Sequence, residues 1–220
     1  MDVLLRPWRY WSGGALWGVA WLGLLAGSIA LSVLAAQHGR LPGDLDLAQR
    51  LQDSDFPGLR VSKFVRQVTT TQVVLGTGAA AAVVMWLVGW RQQAVVLVAG
   101  LGVMALVQSG LKDLVDRPRP TADLVELRAG YSSPSFPAGH VMSPTVLYGF
   151  LLYLAVTLKP SIPARLAIVA WSAFVLALAG PANIYVGVHW PSDVLGGYAW
   201  GAVLVLTLVY VDRALAGRYP

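Results

Sequence analysis

The sequence predicts an all-α membrane protein, a bundle of six transmembrane helices forming a single domain over residues 1–220. Of its 220 residues, 56% are hydrophobic and only 12% are charged, about half the charged fraction of a soluble domain. Six runs without charged residues each approach the ~20 residues that a helix needs to cross the hydrocarbon core of a bilayer. The runs cover residues 11–36, 67–90, 92–111, 141–158, 166–188 and 194–211.

The first run follows Arg6 and Arg9 and ends in LAAQ, so a cleaved signal peptide is an alternative to a membrane helix. Its apolar core is longer than the roughly 7 to 15 residues usual in signal peptides, which favours a retained helix. Basic residues are denser at the two termini, at Arg91 and at 159–165 than in the other connections. By the positive-inside rule, the amino terminus is predicted to be cytoplasmic.

The composition excludes two kinds of function. Cysteine is absent, so neither disulfides nor thiolate metal sites contribute. The formal net charge is +5, but the basic residues form no run and are dispersed among short connections. This distribution favours an effect of membrane topology over a nucleic-acid partner.

Residues 38–66 join the first two runs and mix acidic and basic residues around Leu47, Leu51 and Phe56. The pattern is typical of a short amphipathic helix on the outer membrane surface, and we assign it no chemistry. His38 has no partner at a spacing that would position its ring, so it is predicted to be a solvated loop residue.

His189 and Asp193 interrupt the apolar sequence between the last two runs. Pro191 suits the first position of a helix, which places Asp193 in the first turn, where a carboxylate is favoured and reaches back towards His189. A carboxylate that holds one ring nitrogen makes the other a better nucleophile or general base. A structural hydrogen-bonded pair remains an open alternative on this spacing alone.

Lys112 and Arg119 follow the third run, where Pro118 and Pro120 prevent a helix from continuing. Such cations bind phosphate groups, arginine through paired donors and lysine as a point charge. The alternative is the ordinary basic flank of a membrane helix. Those flanks usually lie inside, whereas this one is predicted to lie outside.

Gly139 and His140 directly precede the fourth run. Glycine lets the backbone approach a ligand, and the free N–H groups at a helix start attract an anion, to which His140 would donate a proton. Counting spans places the third run's end, the fourth run's start and the last connection on the same outer face. The candidate residues gathered there are Lys112, Arg119, His140, His189 and Asp193.

These residues resemble the motifs of the type 2 phosphatidic acid phosphatase superfamily, which also includes vanadium haloperoxidases, and in particular its membrane lipid phosphatase branch. The first motif, Lys, six residues and Arg-Pro, is matched at 112–120. The second, Pro-Ser-Gly-His, is matched at 137–140, with Ala138 in place of Ser. The third, Arg, five residues, His, three residues and Asp, is matched at 183–193, with Asn183 in place of Arg.

The resemblance implies a two-step phosphoryl transfer that needs neither a metal nor another cofactor. His189 would attack phosphorus to form a phosphohistidine, Asp193 would orient its ring, and His140 would protonate the leaving oxygen. A His-Asp metal site is disfavoured, because nearby cations would repel a divalent ion. The phosphate oxygens would be held by Lys112, Arg119, the Gly139 N–H and Asn183.

The implied function is a membrane lipid phosphatase whose partners are the bilayer and a lipid phosphate, such as polyprenyl pyrophosphate, phosphatidylglycerol phosphate or phosphatidic acid. A homodimer is left open. Losing one preorganised donor typically lowers a rate by ~10² to 10³, so a non-catalytic protein that binds headgroups is one alternative. Phosphotransfer between lipids is another, and haloperoxidase chemistry is disfavoured. Residues that would replace the lost donors are Arg117, Arg128, Ser133 and Ser135.

Overall fold

The computed structural model describes residues 7–217, with side chains from residue 16 onward, and this part of the chain contains eight α-helices and no strand. The all-α prediction is confirmed. Arg6, Arg218 and the side chain of Arg9, on which part of the orientation prediction depends, lie outside the described part. In chain order the helices are α1 (Pro7–Gln37), α2 (Asp44–Asp53), α3 (Leu59–Val68), α4 (Thr71–Leu87), α5 (Arg91–Val115), α6 (Gly139–Thr157), α7 (Ile162–Tyr185) and α8 (Pro191–Leu215).

Five of these helices, α1, α5, α6, α7 and α8, are long and apolar enough to cross a membrane. Helices α3 and α4 meet at 55° across a short break and together provide a sixth candidate span. Helix α4 is shorter than the predicted run 67–90, because the Thr70 hydroxyl caps its start by accepting the N–H of Val73 at 3.3 Å. The chain therefore has the architecture of a multi-pass membrane protein.

Helix α6 lies at the centre of the bundle and packs against α4, α5, α7 and α8. Its closest neighbour is α8, which approaches through two glycines. A Cβ on Gly197 would lie 2.8 Å from the carbonyl oxygen of Ala138, and one on Gly201 would lie 2.7 Å from the Thr145 side chain. Small residues allow membrane helices to pack this closely. The amino-terminal ends of α6 and α8 consequently lie side by side.

Residues 38–66 form two helices, which corrects the prediction of one. Helical structure is interrupted at Pro57 and Gly58. Gly58 has a φ of 86°, a conformation that favours glycine. Helix α2 packs against α7 and α8, and α3 lies along α7, where the rings of Phe64 and Trp171 are 6.3 Å apart. The segment is therefore part of the bundle. His38 is exposed beyond the end of α1, as predicted.

Candidate active site

The residues predicted to form a site lie where four long helices begin or end. Helix α5 continues to Val115, beyond the predicted end at 111, so Lys112 belongs to its last turn. His140 is in the first turn of α6, and Asn183 is in the last turn of α7. His189 lies in the short connection before α8, whose first turn contains Asp193.

A cavity of about 450 Å³ joins most of these residues. Lys112, Arg119, Gly139, His140 and His189 all line it. The polar lining suits a charged headgroup better than an acyl chain. The remaining lining residues are mostly small or polar and comprise Thr70, Thr71, Gln72, Ala105, Gln108, Ser109, Ser132 and Ser133.

The two ring nitrogens of the buried His189 have different surroundings. Nη1 of Arg119 lies 3.2 Å from Nε2. A guanidinium can only donate, so Nε2 is the acceptor and the ring proton is on Nδ1. Nδ1 lies 3.6 Å from Oδ2 of Asp193, beyond hydrogen-bond distance, and has no hydrogen-bond partner among the described residues. The imidazole thus presents an unprotonated Nε2 to a cation of the cavity wall.

Electrostatics keep this imidazole neutral. Burial lowers the pKa of His189 from its ordinary value of 6.5 to about 4, an effect that Arg119 strengthens and Asp193 opposes. A neutral imidazole has the free lone pair that a nucleophile requires. At pH 7 the His189 ring is therefore neutral, with a free lone pair on Nε2.

Asp193 is fully buried and held by several donors. Its Oδ1 accepts from Nη1 of Arg117 at 2.6 Å, and its Oδ2 accepts the N–H of Trp190 at 2.8 Å. The hydroxyl of Ser135 also donates to Oδ2. The first-turn carboxylate reaches back to the residues before the helix, as predicted. These bonds fix its position next to Nδ1 of His189.

Arg117 is buried between two carboxylates. Its Nη2 donates to Oδ2 of Asp44 at 2.8 Å, while its Nη1 donates to Asp193. Asp44, the first residue of α2, also accepts from the N–H of Ser192 at 2.9 Å and from its hydroxyl at 2.7 Å. Breaking such a buried pair leaves an uncompensated charge. Asp44 lies in a segment for which the sequence predicts no chemistry, but the structure places it in support of Asp193.

Lys112 and Arg119 both donate to backbone carbonyls at the cavity wall. Nζ of Lys112 donates to the carbonyl of Pro134 at 2.6 Å, and Nε of Arg119 donates to that of Ser133 at 2.7 Å. The guanidinium of Arg119 also lies 4.9 Å from the centre of the Tyr131 ring. These contacts hold two positive charges beside His189.

Helix α6 begins at the cavity wall. The first N–H groups of an α-helix have no partner within the helix and attract anions. Gly139 is packed tightly, since a Cβ there would lie 3.0 Å from Nε2 of Gln108. His140 is half-buried, and its ring interacts electrostatically with Lys112 and Arg119. The imidazole of His140 thus lies near the two cations.

Comparison with known proteins agrees with this arrangement. The family described as the PAP2 superfamily matches residues 93–215, which is more than half of the chain. The chain belongs to the PAP2 superfamily.

A relative by sequence and a solved structure, both from Bacillus subtilis, are similar to this PAP2 protein. Phosphatidylglycerophosphatase B of Bacillus subtilis (strain 168) is 34% identical over 116 residues, covering 52% of this chain and 55% of the relative. The match thus spans about half the length of that relative. The crystal structure of the first transmembrane PAP2 type phosphatidylglycerolphosphate phosphatase from Bacillus subtilis has a TM-score of 0.74 at 19% identity, covering 89% of this chain and 96% of that one. The fold is therefore shared.

Both departures from the PAP2 motifs lie near the cavity. Ala138 precedes α6 without a side-chain cap, and its N–H donates to the Asp193 carbonyl at 3.0 Å. Asn183 is fully buried, with Oδ1 accepting from Nη1 of Arg66 and Nδ2 donating to the Ala179 carbonyl at 2.7 Å. An arginine of α3 consequently reaches the position at which the family motif has its own arginine.

Of the four residues suggested as replacements for the lost donors, Ser133 lines the cavity of this PAP2 protein. Arg128 instead pairs with Glu126 at 2.6 Å, and Arg117 and Ser135 are bonded to Asp193. The sequence did not predict Arg66 as a site residue. The one feature that could have indicated it is its position directly before the second apolar run. Over the described side chains, no group of three or more His, Asp or Glu residues is arranged to hold a metal ion.

Proposed function

We propose that the protein is a membrane phosphatase that hydrolyses the phosphate or pyrophosphate group of a lipid. The supporting observation is a cavity in which the acceptor nitrogen of His189 meets His140, Lys112 and Arg119. Phosphoryl transfer through a covalent intermediate needs a nucleophile, a proton donor and positive charge near the phosphate oxygens. These side chains supply all three.

In the first step, Nε2 of His189 attacks phosphorus and forms an N–P bond, while the bond from phosphorus to the lipid oxygen breaks. His140 gives its proton to that oxygen, so the lipid leaves as an alcohol or, from a pyrophosphate, as a lipid phosphate. Arg119 moves from Nε2 to a phosphate oxygen, and Lys112 and the Gly139 N–H hold the others. The imidazole becomes positive, and its Nδ1–H faces the carboxylate of Asp193, which stabilises that charge.

In the second step, His140 takes a proton from water as the water oxygen attacks phosphorus. The N–P bond breaks, its electron pair returns to Nε2, and inorganic phosphate leaves. His189 is neutral again, and the only molecule consumed besides the lipid is water.

The relative's name makes phosphatidylglycerol phosphate the first substrate to test, followed by polyprenyl pyrophosphate and phosphatidic acid. A cavity at the ends of membrane-crossing helices suits a substrate whose tails remain in the bilayer while its headgroup meets the cations. The positive-inside pattern favours the extracytoplasmic side for this end of the bundle.

Phosphate release from each lipid by the purified protein in detergent tests the proposal. We expect release that His189→Ala abolishes and that His38→Ala, which removes an exposed histidine outside the three motifs, leaves unchanged. Quenching in alkali should trap a base-stable, acid-labile phosphohistidine in the wild type and not in His189→Ala. No release from any of the lipids, with no trapped intermediate, would contradict the proposal.

A second function, non-catalytic binding of phospholipid headgroups as a scaffold or regulator, is favoured by the two motif departures. Ala138 offers no side-chain donor, and the amide of Asn183 is occupied by Arg66 and a backbone carbonyl. This function predicts lipid binding that depends on Lys112 and Arg119 but not on His189. Transfer to another lipid would instead yield a phosphorylated acceptor without free phosphate.

A further inference from the structure

Arg66 reaches the site from outside every predicted motif. It lies in the last turn of α3, and its Nη1 donates to Oδ1 of Asn183. The amide of Asn183 is fully buried, and its nitrogen donates to the carbonyl of Ala179. Both polar atoms of this amide are therefore engaged outside the cavity lining, and Asn183 offers the phosphate no direct replacement for the motif arginine.

Arg66 is not itself among the residues that line the cavity, but it interacts with two of them. The side chain is half-buried and interacts electrostatically with Arg119 and with His140, both of which line the cavity. Between residues 16 and 217, no carboxylate forms a salt bridge with it. A partly desolvated cation among other cations is unfavourable until an anion joins it. These surroundings favour an anionic ligand.

We propose that Arg66 is a third phosphate-binding cation, supplying from α3 the guanidinium that position 183 lacks. The inference rests on the proposed function, because the ligand is the phosphate group of the lipid. A guanidinium has five N–H donors, and the bond to Asn183 uses one, so the others remain for phosphate oxygens. Asn183 is then a positioning residue that holds Arg66 without touching the ligand.

A purely structural role for the same bond makes a different prediction. Helix α3 lies along α7, and the ring of Phe64 is 6.3 Å from that of Trp171 and 6.4 Å from that of Phe174. A bond that only fastened these helices would affect thermal stability and leave phosphate affinity unchanged. Arg66→Gln separates the two roles, because glutamine keeps a donor for Asn183 but has no charge.

The experiment measures vanadate inhibition, KM and kcat with phosphatidylglycerol phosphate, and the unfolding temperature, all on the full chain in detergent. Vanadate mimics the phosphoryl group in transfer. We expect Arg66→Gln to weaken vanadate inhibition about 10²-fold, with an unfolding temperature close to that of the wild type. Arg66→Lys keeps the charge and should recover most of this affinity. Arg60→Ala, which removes an exposed arginine from the same helix, should change neither quantity.

Exchanging the two residues provides the sharpest comparison. Arg66→Asn combined with Asn183→Arg moves the guanidinium to the family's own position and should restore vanadate inhibition to within about tenfold of the wild type. If Arg66→Gln were inhibited by vanadate as strongly as the wild type, the proposal would be overturned. The bond between Arg66 and Asn183 would then only hold α3 against α7.

The proposed function and the role of Arg66 fail in different ways. A wild-type protein that releases no phosphate from any lipid refutes the proposed function. Vanadate binding, followed as a rise in unfolding temperature, then still tests Arg66. A rise in the wild type that Arg66→Gln abolishes supports the third cation, and no rise in the wild type overturns it.

Discussion

The two ends of helix α8 each bury an aspartate, and the two carboxylates are paired differently. At the end away from the cavity, Asp212 accepts from the side-chain amides of Gln92 and Gln93 and from the hydroxyl of Tyr153, each at 2.8 Å. These donors come from α5 and α6, so the carboxylate joins three helices. At the cavity end, Asp193 accepts from a guanidinium, a hydroxyl and a backbone N–H.

The difference lies in what remains unpaired beside each carboxylate. Among the described residues, no buried side-chain atom of the Asp212 cluster lacks a partner, whereas Nδ1 of His189 and Nε of Arg117 do. A buried polar atom without a bond typically costs about 1–3 kcal/mol. Under the proposed mechanism His189 becomes positive only during the reaction, so its pairing with Asp193 is completed at that moment. Along α8, the incompletely paired carboxylate cluster therefore lies at the proposed reacting end, and the fully paired cluster lies at the other end.

Of the substitutions that test this difference between the two ends of α8, Asp193→Asn should have the largest effect, a decrease in kcat. An amide cannot neutralise the imidazolium that forms on attack, so we expect kcat for phosphate release to fall about 10²- to 10⁴-fold. Phosphate release with saturating phosphatidylglycerol phosphate measures the loss. A kcat equal to that of the wild type would show that the carboxylate has only a structural role.

Asp44→Asn tests whether Asp44 stabilises Asp193 through the arginine that they share, Arg117. Arg117 would lose one of its two charged partners, which we expect to lower the free energy of unfolding by about 1–3 kcal/mol and reduce kcat moderately. Thermal unfolding in detergent measures the first effect and phosphate release the second. Asp46→Asn is the matched control. Its exposed pair with Arg50 should contribute less than about 1 kcal/mol.

Asp212→Asn should affect stability alone. The amide weakens hydrogen bonds to Gln92, Gln93 and Tyr153, so we expect a loss of about 1–3 kcal/mol in unfolding free energy. The kcat per folded molecule should equal that of the wild type, because the cluster lies at the far end of α8. A tenfold decrease in kcat at unchanged folded fraction would refute the division between the two ends.

The smallest expected effect is the response of His189 to acid. Its pKa is lowered from 6.5 to about 4, so the ring stays neutral as the pH falls through 6.5 and gains its proton only near pH 4. Nitrogen NMR of histidine-labelled protein in detergent, assigned with His189→Ala, would follow the ring directly. The signals should report a protonated Nδ1 and a bare Nε2 at neutral pH. Titration near 6.5 would contradict the burial argument.

The membrane helices could be predicted from charge-free runs, because a bilayer demands apolar length and a backbone bonded within each segment. Counting those runs was also enough to place Lys112, His140 and His189 on one face. The structure brings these three residues to one cavity. Predicting this part of the site required only the order of the membrane spans and three short motifs.

The supporting residues were less predictable, because they depend on packing between distant segments. Residues 38–66 have no apolar run, and nothing in their sequence shows that α3 lies against α7. Arg66 and Asn183 are 117 positions apart, and Asp44 and Arg117 are 73 apart. Local spacing cannot reveal such pairs. Helix α5 likewise continues through Lys112, since a helix end at the membrane surface tolerates a charged side chain.

Gly197 touches none of the proposed reacting groups, yet its missing side chain bears on the chemistry. Its Cα faces the carbonyl of Ala138, immediately before Gly139 and His140. Even a methyl group there would push α6 and α8 apart and increase the distance between His140 at the start of α6 and His189 just before α8. The missing side chain in the second turn of α8 therefore helps to set the separation between His140 and His189.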